Sequence, residues 1–302
     1  MRALLVVAAV WLAGCTVKVD EALLMPAPPT MGKDGMPSMA ALPAMLADVP
    51  PEGTVLENGA VLKVWQLRVG KAGKARLGTM RIVQIDRTDA AATILLSGGL
   101  GWFAGQAPVA RVSALAAASG ADLLIFERPD EDGAAVWPSV KTLERDGPRL
   151  VAALRAAGLV EGPLIAHGFS LGAARAVALA GGERPEEQVD AVIIETAAPA
   201  MGRLGEEMLP GLLKPFVKLR LEDELKPADW RRNLKRASVP VLLLGAEGDR
   251  IATTALVQDF ARVLVRARVP VSMVTVAGGH ATASESAQGS AAVSDFVAMV
   301  RR

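Results

Sequence analysis

The stretch Gly168-Phe169-Ser170-Leu171-Gly172 decides the reading of this chain. It stands where a short apolar run, Pro163-Leu164-Ile165-Ala166, gives way to an Ala-rich helical run beginning at Leu171. A serine on a sharp strand-to-helix turn has its hydroxyl pushed clear of the backbone, and flanking glycines relieve the crowding of such a turn. On this reading Gly168 lets the preceding loop pass close by. Gly172 and Ala173 let the following helix pack near the strand. The first helical amides, that of Leu171 among them, lack intrahelical acceptors and can face a developing negative charge. The pattern is that of a nucleophile elbow; its plainer alternative is a Gly-Ser turn at a helix N-cap.

A serine hydroxyl needs a base to take its proton, and the chain has only two histidines. His167 lies three residues before Ser170 on the strand side of the turn, badly placed to reach the hydroxyl. His280 ends the apolar run from Val271 through Val276 and a glycine pair, at the loop end of an expected strand. That is where an α/β sheet gathers its reactive groups. An imidazole in turn needs a carboxylate to hold its tautomer. Val239-Pro-Val-Leu-Leu-Leu244 reads as a buried strand, followed by Gly245-Ala-Glu-Gly-Asp249, so Asp249 is the expected partner. Its alternative role is to cap the helix expected from Thr253. Glu195, closing the run Ala191-Val-Ile-Ile194, is the second candidate. The backbone after Thr93-Ile-Leu-Leu96, namely Ser97-Gly-Gly-Leu-Gly101, can turn amides toward the serine, with Gly99 or Leu100 the expected second oxyanion donor beside Leu171. A phosphate loop is disfavoured there, since neither a Lys-Ser/Thr pair nor a full G-x-G-x-x-G follows.

These residues resemble the α/β-hydrolase superfamily, and most of all its compact esterase, monoglyceride-lipase and serine-aminopeptidase-like branch. The chain order Ser170, Asp249, His280 is the one that superfamily uses. The resemblance spans residues 60 to 300 and rests on the elbow, the Leu-Gly-Ala-Glu-Gly-Asp249 loop and the final Gly-Gly-His280. Departures are Ser97-Gly98 where His-Gly is usual, Phe169 where His is common, and Phe126-Glu-Arg-Pro-Asp-Glu-Asp-Gly133 after the fourth strand. The resemblance implies an α/β fold and a serine hydrolase acting on carboxylic esters with no cofactor or metal. A contrasting expectation, motivated by Ser97 and Phe169, is a catalytically degenerate fold serving as a binding or envelope module.

The front of the chain carries a separate signal. Met1-Arg2 precedes an apolar run from Ala3 to Ala13, a secretory signal too short to span a bilayer. It ends Leu12-Ala13-Gly14-Cys15, which resembles a bacterial lipobox. Cys15 is the one cysteine in the chain, so an intrachain disulfide is excluded and acylation explains its place. Two or three acyl chains suffice for stable membrane anchoring. Residues 1–14 are thus expected to be a lipoprotein signal peptide, and 15–52 a lipidated, mostly disordered tether rich in Pro, Met and Ala. The expected location is a bacterial cell envelope, on the outer membrane in a Gram-negative source because Thr16 rather than Asp follows the cysteine. Copper binding by Met25, Met31, Met36, Met39 and Met45 is disfavoured, since neither His nor another Cys accompanies them.

Residues 53–302 suit one domain. With 33 Lys and Arg against 32 Asp and Glu, the net charge of +1 argues against a nucleic-acid footprint. Val61–Val69 and Leu77–Ile85 are expected to form an antiparallel hairpin at a sheet edge. Apolar strands near 92–96, 122–127, 162–167, 190–195, 239–245 and 270–276 then alternate with helices near 108–119, 139–157, 171–181, 253–267 and 287–301. That alternation predicts a mostly parallel sheet covered on both faces. Residues 199–237 interrupt it and are expected to form a short helical cap. Leu204, Met208, Leu212 and Phe216 recur four apart there, a stripe that suits core packing or a wall for an acyl chain. Trp102, Phe103 and Phe169 are expected to extend that wall.

Overall fold

The structure, a computed structural model, describes residues 16–19, 52–56, 58–70, 78–98, 106–129, 135–136, 138–199, 218–221, 230–280 and 282–302. Twelve strands are described: β1 (Thr16–Val19), β2 (Thr54–Val55), β3 (Val61–Val69), β4 (Gly78–Asp86), β5 (Thr93–Ser97), β6 (Asp122–Pro129), β7 (Ala135–Val136), β8 (Leu164–Phe169), β9 (Ala191–Glu195), β10 (Lys218–Leu221), β11 (Val241–Ala246) and β12 (Val271–Val276). Six α-helices accompany them: α1 (Gln106–Ser119), α2 (Val140–Ala156), α3 (Leu171–Leu179), α4 (Trp230–Ala237), α5 (Thr254–Arg266) and α6 (Ala287–Val300).

The main sheet runs β12-β11-β9-β8-β5-β6-β4-β3-β2, with β7 paired beside β6. From β12 to β6 every neighbouring pair is parallel; β6, β4, β3 and β2 are joined antiparallel. The expected hairpin is present, in the register Val61 opposite Asp86, and only the short β2 lies outside it. Strand and helix limits fall within one or two residues of the expected ones.

Period-two alternation places each strand's residues on opposite faces. Ile94, Leu96, Leu123, Ile125, Ile165 and Ile193 pack with Val112 and Ala116 of α1 and with Val293 and Phe296 of α6. Leu95, Leu124, Phe126, Ala166, Val192 and Ile194 face a second core with α2, α3, α4 and α5. Burial on both faces is why these strands read as unbroken apolar runs. Chain order reverses at β5, whose neighbours are β6 on one side and β8 on the other. Loops leaving the C-terminal ends of β5 and β8 therefore diverge, and the crevice between them is the place where such sheets receive ligands.

Two expectations need correction. The helix Trp230–Ala237 belongs to the layer over the sheet and not to a cap. Trp230 and Leu234, one turn apart, are buried in the second core, and Trp230 meets Phe260 edge-on at 5.0 Å. In addition, Thr16–Val19, inside the segment read as a tether, pairs in parallel with Lys218–Leu221, which is a strand where a helical cap was expected. Cys15 and the Leu204, Met208, Leu212, Phe216 stripe lie outside the described residues. Among the described residues no helix is long and apolar enough to cross a membrane.

Candidate active site

Strand β8 is buried along its whole length and ends at Ser170, whose φ of 54° and ψ of −125° lie in a region that residues with a Cβ rarely occupy. Such a conformation costs ~1–3 kcal/mol and persists only where the surroundings hold it. They do so here from both sides: the Ser170 amide donates to the Glu195 carbonyl at 3.0 Å, and the Ser170 carbonyl accepts from Ala173 at 3.0 Å. The two flanking glycines have exchanged their expected duties. A Cβ on Gly168 would lie 2.2 Å from the Gly172 carbonyl oxygen, so this residue admits the helix; one on Gly172 would lie 2.0 Å from the Ser97 oxygen, so this residue admits the end of β5.

His280 follows β12 through Gly278, at φ 148°, and Gly279. Thr282 Oγ1 closes the turn beneath the histidine, accepting from the Gly279 amide at 3.0 Å and donating to the Gly279 carbonyl at 3.1 Å. Asp249 arrives from β11, and the two loops are stitched together beyond their strands. Glu247 donates to the Val276 carbonyl and Gly248 to the Gly278 carbonyl, both at 2.9 Å. Gly248 is required for this approach, because a Cβ there would stand 2.6 Å from the Gly278 oxygen.

The three side chains expected from the sequence meet. His280 Nε2 is 2.8 Å from Ser170 Oγ, and His280 Nδ1 is 2.9 Å from Asp249 Oδ2. Asp249 Oδ1 accepts from the amides of Ile251 at 2.8 Å and Ala252 at 2.9 Å, which fixes the carboxylate. Capping of α5 falls to Thr253 instead, whose hydroxyl accepts from Leu256. Burial opposes charge on Asp249, but the hydrogen bonds from His280 and the two amides prevail and hold it below the ordinary carboxylate range. An ionised Asp249 keeps the imidazole proton on Nδ1, leaving Nε2 to accept the Ser170 hydroxyl proton. The imidazole is one-quarter exposed while the Asp249 side chain is fully covered, so the ring is reachable and the carboxylate is not.

Leu171 opens α3 beside Ser170, its amide at the positive end of the helix. Gly99, Leu100, Trp102 and Phe103 lie outside the described residues; the carbonyl of Gly98 just before them accepts from Arg175 at 3.0 Å. Arg175 is buried within the Ala-rich α3 and also donates to the Pro138 carbonyl at 3.2 Å, tying the end of β5 to the residues just before α2. Sequence reasoning passed over it. A lone cation inside LGAARAVAL was the available signal.

Glu195, the second carboxylate candidate, serves the other histidine. Its Oε2 is 3.2 Å from His167 Nε2, and its Oε1 accepts from the Ser284 amide at 3.1 Å. Phe169 is buried and lines a cavity of about 480 Å³ with His167 and Glu195; Ser170, Asp249 and His280 are not among its walls. Among the described residues no cluster of three or more His, Cys, Asp or Glu is placed to hold a metal ion.

No protein-family model matches the sequence, and neither does any curated protein. Solved structures do. The esterase Pf2001 of Pyrococcus furiosus is similar over 83% of this chain and 97% of its own, with 15% identity and a TM-score of 0.57. Carboxyl esterase 2 of the fungus Tuber melanosporum matches over 88% of this chain and 94% of its own, with 18% identity and a TM-score of 0.56. The esterase domain of a Rhodothermus marinus protein matches over 80% and 98%, with 21% identity and a TM-score of 0.53. With its parallel sheet, edge hairpin, two helical layers and a serine turn at the switch point, the chain has the α/β-hydrolase fold.

Proposed function

We propose that this protein is a serine hydrolase that cleaves carboxylic esters through an acyl-enzyme. The observation that carries the reading is the chain of short contacts from Asp249 through His280 to Ser170, held on a strained turn. The esterase identity of the similar structures supports the substrate class.

In this reading His280 Nε2 takes the Ser170 proton as Oγ attacks the acyl carbon. The carbonyl oxygen becomes an oxyanion against the amides of Leu171 and of Gly99 or Leu100. The intermediate collapses as the imidazolium returns the proton to the departing alkoxide, releasing the alcohol and leaving the acyl group on Ser170. Water, deprotonated by the same imidazole, then attacks the acyl carbon, and the acid leaves with Oγ reprotonated. Asp249 stays ionised and stabilises the imidazolium. The chemistry needs no metal or organic cofactor. The lipobox-like Leu12-Ala13-Gly14-Cys15 supports acylation at Cys15 and display of the domain on a bacterial envelope membrane.

A fluorophosphonate probe on the purified protein tests the reading. Covalent labelling abolished by Ser170→Ala is expected. Absence of labelling of the folded protein would favour the non-enzymatic binding module.

A further inference from the structure

A cationic groove lies between α4 and α5, and the proposed reaction does not use it. Its volume is about 510 Å³, and it is lined by Arg231, Arg232 and Lys235 of α4, by Arg266 of α5, and by Val263 and Ala267. Among the described residues no carboxylate lines it. The chain carries 33 Lys and Arg against 32 Asp and Glu, so this excess of positive charge is local. Nearby exposed cations are matched: Arg262 meets Asp259, and Arg236 meets Glu183 at 2.8 Å. The side chains of Arg231, Lys235 and Arg266 have no ion-pair or hydrogen-bond partner among the described residues.

Stability of the fold accounts for only part of this cluster. Lys235 and Arg266 stand in the last turns of their helices, where the negative end favours a cation. Arg231 and Arg232 stand in the first turn of α4, at the positive end, where a cation is disfavoured. Arg231 and Lys235 are also like charges four apart on one side of the helix. Cations placed against the local field at an exposed groove point to an anion from outside the fold. The groove has a definite place as well. Lys235 shortly precedes β11 and Arg266 shortly precedes β12, whereas Ser170, Asp249 and His280 follow the ends of β8, β11 and β12. Lys235 and Arg266 therefore lie toward the rim where the parallel strands begin, opposite the rim that carries the three reactive side chains.

The front of the chain indicates which anion. β1 begins directly after Cys15 and pairs with β10, which shortly precedes α4, so an acylated Cys15 brings this part of the domain to a lipid surface. We propose that the groove between α4 and α5 docks on the phosphate head groups of an anionic membrane through Arg231, Lys235 and Arg266, turning the rim that bears Ser170 toward the water. The choice of a membrane rests on the reading of Cys15 as an acylated anchor; the charge of the groove does not. Acyl chains and a basic patch act together in such anchoring, each cation adding about fivefold to binding.

The test uses the full chain made by cell-free synthesis without membranes, so that Cys15 carries no acyl group and the result is independent of acylation. The apolar run from Ala3 to Ala13 is common to every variant, so the readout is the preference for anionic over neutral vesicles. Vesicles of phosphatidylcholine are compared by cosedimentation with vesicles containing about one-third phosphatidylglycerol. The parent should bind the anionic vesicles at least about 20-fold tighter, a preference that shrinks as salt rises. Arg231→Gln/Lys235→Gln/Arg266→Gln should reduce it to within about threefold, with Tm and fluorophosphonate labelling of Ser170 unchanged. Lys141→Gln/Arg301→Gln/Arg302→Gln, which removes as many exposed cations elsewhere, should retain it. Hydrogen exchange on anionic vesicles should slow in α4 and at the end of α5 and stay unchanged in the loops of Asp249 and His280. No preference in the parent, equal loss in the two triple variants, protection of the Asp249 and His280 loops instead, or uptake of inorganic phosphate by a groove that gives no vesicle preference would each overturn the proposal. Labelling of Ser170 is read separately, so its absence would count against the esterase reading alone.

Discussion

His280 Nε2 lies 2.8 Å from Ser170 Oγ although 110 residues separate the two in sequence. The gap is closed by the sheet, which carries β8 and β12 to the same rim with β9 and β11 between them. Asp249 and His280 are fastened to each other as well: backbone hydrogen bonds from Glu247 and Gly248 extend the β11–β12 ladder into the loops that bear them. Loss of either loop's geometry therefore displaces both groups together.

The two carboxylate candidates are separable by mutation. Asp249→Asn keeps the shape of the site but loses the charge that holds the His280 tautomer, so kcat on a p-nitrophenyl ester should fall by about 10⁴ with Tm little changed. Glu195→Gln should leave kcat within about threefold, since its carboxylate meets His167 and the Ser284 amide, while its bond to Ser170 runs through the backbone carbonyl that the substitution keeps. It should instead lower stability by ~1–3 kcal/mol by unbalancing a buried polar pair, read as a drop in Tm. The opposite pattern, with Glu195→Gln inactive at unchanged Tm, would reassign the acid.

Much of the fold is legible in the sequence. The apolar runs at Thr93–Leu96, Ala191–Ile194 and Val241–Leu244 announce buried strands because a parallel sheet covered on both faces leaves no polar side to alternate with. Asp249 and His280 followed from standing just past such runs. Pairing is another matter. That Glu195 belongs to His167 depends on the register of β8 against β9, with Phe169 opposite Glu195, and periodicity is blind to register. Trp230–Ala237 broke the strand–helix alternation and so looked like cap, although its Trp230 and Leu234 bury one apolar stripe in the core. The pairing of Thr16–Val19 with Lys218–Leu221 joins segments some two hundred residues apart, with no local signal at either end.

Asp122 should make the fold more stable as pH falls toward 4. It is buried at the start of β6, accepting from the Arg87 amide at 2.8 Å and from Gln84 at 3.4 Å, and burial raises its pKa from 3.8 to about 6. Between those values the folded state holds a proton that the unfolded chain releases, so this residue's contribution to stability declines as pH rises through the window and stays low above it. Asp122→Asn removes the penalty while keeping a carbonyl acceptor for Arg87. Its Tm should exceed that of the parent at pH 8 by the equivalent of roughly 1–2 kcal/mol, with the difference vanishing near pH 4. A Tm difference independent of pH would contradict the charge argument.

Arg175 is expected to act as a positioning residue for the segment after β5 that the proposed reaction uses as an oxyanion loop. Replacing it with Met leaves the Gly98 and Pro138 carbonyls without this donor, each worth ~1–3 kcal/mol when buried. The loop end should then loosen, lowering kcat by about 10- to 100-fold with KM nearly constant, because the loss falls on the transition-state oxyanion. Arg175→Lys, which can still reach one carbonyl, should recover part of kcat. Equal losses of Tm in both variants with kcat untouched would reduce Arg175 to a purely structural tie.

Gly172→Ala tests whether the serine turn depends on backbone contact with β5. A methyl at 172 would stand 2.0 Å from the Ser97 oxygen and 2.6 Å from that of Gly98, both backbone atoms that no side-chain rotation can move aside. Either α3 shifts away from the sheet or the end of β5 is pushed off, and each course separates the Leu171 amide from Ser97 and Gly98 at the end of β5. Overpacking of this kind costs ~1–3 kcal/mol, so a folded variant is expected. Fluorophosphonate labelling of Ser170 should slow by more than about 100-fold, because the proposed reaction depends on the start of α3 keeping its place beside the end of β5. Gly168→Ala, which meets the Gly172 carbonyl at 2.2 Å, should slow labelling as well. Normal labelling in either variant would mean that the turn tolerates a Cβ and that its glycines are incidental to the reactivity of Ser170.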